Sequence, residues 1–198
     1  TSPEVFKVPD HDAARKQIAD FMLNRAGLPY GKITVPDSAL QYILDCNIRN
    51  LYQMREVVDG TLQFDTGPSV YRALWIGDAV YQLLAALMLD DRDAARREIN
   101  AVLRHQLPDG QVSINEPWTL FRETPILIHM IMLYAEYTHD TTWLRKEYGR
   151  IRRAVDWIRR QRESTLIDTT AVNYGLLPPG FGDGGLAVGR PVAEAAAL

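Results

Sequence analysis

The chain holds one cysteine, Cys46. That excludes an internal disulfide framework and a multi-cysteine zinc site. Cys46 falls inside a helical apolar pattern and reads as buried filler rather than as a nucleophile. Net charge is only −3, which argues against a nucleic-acid or anionic-membrane partner. The arginine-rich runs at 150–153 and 159–162 are interleaved with Glu147, Asp156 and Glu163, the pattern of a solvated helix face. Four histidines (His11, His105, His129, His139) are scattered with no paired metal spacing, so no metal is expected. His129, inside an apolar run, reads as a core residue. No phosphate loop and no nucleophile elbow is present, and no cofactor is expected. Membrane-spanning runs are also missing: Ile126–Tyr137 is too short and carries His129 and Glu136. The compartment stays open.

What is present is ordinary for a globular domain. The 198 residues are 46% hydrophobic and 24% charged, and a single all-α domain over 1–190 is expected. Asp10 is placed to cap a first helix, His11 to Ala26, ended by Gly27 and Pro29. Asp37 or Ser38 caps a second, and Ser38-x-x-Gln41 has capping-box spacing. Arg55 to Phe64 reads as two short strands around an Asp59-Gly60 turn. Asp90 or Asp91 caps a helix from Arg92 to Gln106, and Pro108-Asp109-Gly110 closes it. Thr124-Pro125 predicts a helix with Thr as N-cap and Pro at its first position. Asp140 caps the last helix, whose apolar face carries Trp143, Leu144, Tyr148, Ile151, Val155 and Ile158.

The organising stretch runs from Gly67 to Leu89. Gly67-Pro68 is a turn signal, and Ser69 is placed to cap a helix beginning at Val70. That helix is apolar nearly all round, which predicts burial on every side. Arg72, Trp75 and Asp78 are three apart and share one stripe near its start. Taken alone, they are either a bracing ion pair or a site. Helices alternate between all-round apolar (third, fifth) and one-sided (fourth, sixth). Arg72 and Arg122 stand at equivalent helix starts, and Leu89-Asp90 and His139-Asp140 at equivalent turns. Such repeated hairpins predict an α/α toroid of about three helical hairpins, with a small β-hairpin near 55–64. The long loops gather on one rim.

Three segments carry a resemblance: Gly67-Pro68-Ser69-Val70-Tyr71-Arg72-x-x-Trp75-x-x-Asp78, Leu107-Pro108-Asp109-Gly110 and Gly175-Leu176-Leu177-Pro178-Pro179-Gly180. They are similar to the (α/α)6-barrel, or six-hairpin, glycosidases, over roughly residues 37–186. The resemblance implies a partial (α/α)6 barrel with sugar bound at the rim carrying the inner-helix N-termini. It implies Arg72, Trp75 and Asp78 as a substrate-contacting stripe: an indole covers the apolar face of a pyranose while the charged groups bond hydroxyls. It further implies an inverting glycoside hydrolase using an acid and a base. Asp183, between Gly182 and Gly184, is the candidate general acid. Glu116 and Trp118 are candidate substrate contacts, and Arg122-Glu123 is expected to brace the start of the fifth helix. No residue matches the second catalytic carboxylate.

The ending Ala195-Ala196-Ala197-Leu198 resembles a vector-derived linker, so residues 191–198 are expected to be a tail and the chain a truncated catalytic domain, inactive alone. The expected partners are a carbohydrate substrate and, through the open edge of the half-barrel, a second copy of the chain. Nucleic acid and membrane are not expected. The alternatives are a non-catalytic helical-toroid carbohydrate-binding or scaffold protein, and a sugar lyase or epimerase on the same fold.

Overall fold

The computed structural model describes residues 10–24, 33–67, 69–114, 121–181 and 191–193. It is mostly helical with two small two-stranded antiparallel sheets. The elements, in order, are α1 (His11–Asn24), α2 (Ser38–Gln53), β1 (Arg55–Val58), β2 (Thr61–Phe64), α3 (Ile76–Met88), α4 (Arg92–Leu103), α5 (Glu123–Thr138), α6 (Thr141–Glu163), β3 (Pro179–Phe181) and β4 (Pro191–Ala193). The chain divides into two units, 1–49 and 50–198.

The first unit holds α1 and most of α2. Asp10 caps α1, its Oδ1 accepting from the Asp12 and Ala13 amides. Asp37, not Ser38, caps α2 through the Ala39 and Leu40 amides. Gln41 therefore makes no capping box. Its side chain bonds the Val35 amide and the Ile33 carbonyl, tying the preceding loop to the helix. Ile18 and Phe21 of α1 and Leu40, Tyr42 and Ile43 of α2 are exposed. Cys46 is half-buried beside Tyr42.

The second unit opens with the hairpin. β1 and β2 pair antiparallel, Arg55 opposite Phe64 and Val58 opposite Thr61. Asp59 and Gly60 both have positive φ, 49° and 73°, the turn whose twist matches two paired strands. α3 packs on α4 and α5, α5 on α4 and α6, and α4 on β2. The main core is built from Phe64, Ile76, Leu83, Ile99, Val102, Leu127, Met130 and Trp143. A second cluster joins Phe121, Trp157, Ile158 and Leu177; the Phe121 and Trp157 rings stack at 5.7 Å. It folds the segment after α6 back onto that helix, where Arg162 Nε bonds the Gly175 carbonyl at 3.1 Å.

α3 begins at Ile76, not at Val70. Tyr71 takes a left-handed φ of 56°, which no helix interior accommodates. Leu74 pairs with Asp65 in a β-bridge, and the Thr66 amide bonds the Ala73 carbonyl. Residues 65–67 and 69–74 thus fold back beside the hairpin. Gly67 is required there, because a Cβ on it would collide with the Val70 carbonyl oxygen. Ser69 caps nothing; Trp75 is the N-cap residue, with no side-chain cap bond.

Nor are α3 and α5 buried all round. Tyr81 and Met88 of α3 are 74% and 69% exposed, and Met132, Tyr137 and the supposed core residue His129 are exposed on α5. A helix buries only the sides its neighbours cover. α4, expected to be one-sided, buries Ala94, Ala95, Glu98, Ile99, Ala101, Val102 and Leu103. It ends at Leu103, short of Gln106, and the turn that follows docks on α6: Gln106 Nε2 bonds the Arg150 carbonyl at 2.9 Å. Tyr148 and Val155, both expected on the apolar face of α6, are exposed.

The two inter-helix turns are built alike, one residue out of the expected register. Asp90 and His139 are left-handed, with φ 60° and 54°. Each is followed by a capping aspartate: Asp91 accepts from the Ala94 amide, Asp140 from the Trp143 amide. α5 starts with Arg122 as N-cap residue. Thr124 does not cap it; its Oγ1 accepts from the Val112 amide at 3.0 Å, holding the loop before the helix.

Candidate functional site

Arg72, Trp75 and Asp78 do not form one helical stripe, because Arg72 precedes the helix. Its guanidinium pairs with Glu56 of β1, Nε at 3.2 Å from Oε2, and not with Asp78. Asp78 lies in the first turn of α3, exposed, where an acid suits the helix dipole. Trp75 is half-buried, its ring edge-on to Tyr71 at 5.9 Å. Its indole Nε1 is buried and has no hydrogen-bond partner among the described residues.

Behind Arg72 the structure gathers a carboxyl pair that sequence reasoning missed. The Glu56 and Asp65 carboxyl groups lie close enough to perturb each other's ionisation. Asp65 is 2% exposed, and burial raises its pKa above the ordinary value, with Glu56 adding to the rise against the opposing bond from Gln63. Glu56 is lowered, chiefly by its bond from Arg72. Gln63 Nε2 bonds Asp65 Oδ1 at 2.8 Å, and Gln82 Nε2 of α3 bonds its backbone oxygen at 2.9 Å.

The hairpin is held by Arg55 and Asp91. The Arg55 guanidinium lies 3.8 Å from the Tyr52 ring centre and 4.7 Å from that of Phe64. It bonds Asp91 at 2.7 Å, and Tyr52 Oη donates to the same carboxylate at 3.0 Å. Burial opposes ionisation of Asp91, yet these bonds outweigh it and leave its pKa lowered.

The starts of α3 and α5 meet. A Cβ on Gly77 would sit 3.7 Å from an Arg122 guanidinium nitrogen. Glu123, buried, accepts from the Ile114 amide at 3.4 Å and so ties the preceding loop to α5. Glu116 and Trp118 lie outside the described residues, as does Asp183, which falls between β3 and β4 in the chain. Among the described residues, no group of three or more His, Cys, Asp or Glu side chains is placed to hold a metal ion. None of the described helices is long and apolar enough to cross a membrane.

One buried acid had a signal in the sequence. Glu98 stands three residues after Ala95 and four before Val102, on the apolar side of α4. Asp65 and Glu56 had none, since a two-strand register and a returning loop bring them together. No family model, curated protein or solved structure matches this chain.

Proposed function

We propose that the chain is part of an all-α glycoside hydrolase, with the starts of α3 and α5 forming one wall of a sugar site. The observation that carries this is Trp75, a half-buried indole with an unpartnered Nε1 among the described residues, three residues after Arg72, which pairs with Glu56. A ring face for a pyranose beside groups that bond hydroxyls is what sugar recognition requires. Arg72, Trp75 and Asp78 contact substrate; Glu116 and Trp118 extend the wall. Asp183 is the general acid of an inverting reaction whose base lies elsewhere. The two helical pairs α3–α4 and α5–α6, with α3 against α5, support hairpins of a partial (α/α)6 toroid. In this reading a second copy of the chain covers the open side of α3, where Tyr81 and Met88 are exposed seven residues apart.

A carbohydrate-binding protein without catalysis is favoured by one observation: Asp65 is too enclosed, and Glu56 too tightly paired with Arg72, to serve a leaving group. Titration calorimetry against an oligosaccharide panel, beside release of nitrophenol from aryl glycosides, separates the two. Because the base lies outside this chain in the first reading, hydrolysis is read on the full-length enzyme: nitrophenol release that Asp183→Asn abolishes supports the enzyme, and sugar binding with no release by the full-length protein supports the second reading. Neither result with any sugar would sink both.

A further inference from the structure

Glu98 sits in the middle of α4 on the face that carries Ala95, Ile99 and Val102, and its exposure is 0%. Its Oε2 accepts the Phe64 amide at 2.7 Å. Its Oε1 is equally buried and has no partner among the described residues. A single amide favours the ionised form but replaces little of a carboxylate's hydration shell. Burial therefore dominates and pushes the Glu98 pKa up to about 8. The charges that face it are Asp65, which adds to the rise, and Arg55, which opposes it less while committed to Asp91. α3 and α5 also pack on α4. The buried titratable groups of α5 are turned to other partners, Glu123 to the Ile114 amide and Tyr134 to Asp140; α3 has none.

What hangs from that bond is the end of the hairpin. Phe64 closes β2, and the next residue, Asp65, bridges to Leu74 and accepts from the Gln63 and Gln82 side-chain amides. We propose that Glu98 is a proton-operated latch: protonated, it anchors the end of β2 to α4; ionised, it draws water into that face, frees the hairpin and loosens the Asp65–Glu56–Arg72 cluster. The inference concerns the hairpin alone and stands whether or not the cluster binds sugar.

The test uses the full chain, following the Glu side-chain carboxyl 13C shifts and backbone amide exchange from about pH 6 to about pH 9.5. The Glu98 carboxyl is expected to titrate near the value that burial gives it. Over the same range the hairpin amides, Phe64 included, lose protection beyond the intrinsic rise, and lose it about tenfold more than the α5 and α6 amides. Glu98→Gln, which retains an acceptor for the Phe64 amide, keeps hairpin protection throughout. A Glu98 carboxyl titrating in the ordinary carboxylate range, or a hairpin equally protected on both sides of the transition, overturns the latch. If Glu98→Gln does not fold, Asp65→Asn serves: losing the facing charge must move the hairpin transition to lower pH, and an unmoved midpoint contradicts the proposal.

Discussion

Arg72 pairs with Glu56 across the base of the hairpin, leaving Asp78 to the first turn of α3. The pair is half-open to water, so it contributes little to stability. Its effect is on the neighbouring proton: Glu56 helps to raise Asp65. Glu56→Gln is expected to leave the melting temperature nearly unchanged and to lower the Asp65 midpoint, read from its carboxyl 13C shift. An unmoved midpoint would show that the two acids are not coupled.

Stability should fall as pH rises through neutrality. Glu98 has an ordinary pKa of 4.5 and a folded value of about 8. The folded state binds the extra proton between those values, so this contribution is full below the ordinary value and lost as pH rises through the folded one. The slope is about 1.4 kcal/mol per pH unit, and the whole effect is roughly 4–5 kcal/mol. Denaturant unfolding at several pH values measures it, and Glu98→Gln should flatten the curve. Asp65, raised in the same direction, leaves a smaller residual slope.

Asp91 acts at the opposite end of the scale. Its pKa is lowered from 3.8, so its stabilisation is present above that value and lost as pH falls through the folded one. Asp91→Ala removes the α4 cap and strips Arg55, whose side chain is only 10% exposed, of its carboxylate. The expected cost is about 2–3 kcal/mol by urea unfolding.

Gly110 is the least replaceable turn residue described. Its φ is +103°, and a Cβ there would strike the Arg153 carbonyl of α6. Gly110→Ala should cost roughly 2–4 kcal/mol and separate the 106–110 turn from α6. A thermal melt within a degree or so of the wild type would contradict this.

Much of the fold was legible because its signals are local. Asp10, Asp37, Asp91 and Asp140 each cap the helix that follows, and Asp59-Gly60 turns the hairpin. The start of α3 was not legible, since the left-handed Tyr71 and the Asp65–Leu74 bridge depend on a strand the returning chain must find. Apolar content overstated the burial of α3 and α5 because it does not say which sides neighbours cover. At the site, Trp75 and Asp78 were visible as residues, but the partner of Arg72 was set by hairpin register.

The proposed pairing with a second copy puts the partner on the exposed α3 face. Size exclusion with light scattering should give a dimer that Tyr81→Lys with Met88→Lys returns to monomer. A wild-type monomer at high concentration would remove a second copy as the partner of that face.

The most direct test of the sugar-site account is a carbohydrate titration of wild type and Trp75→Ala side by side, followed by calorimetry. The account predicts saturable binding of at least one oligosaccharide to the wild type. It also predicts a loss of about tenfold or more in affinity in the variant, with unchanged helical circular dichroism. Equal affinity in the two proteins would contradict it.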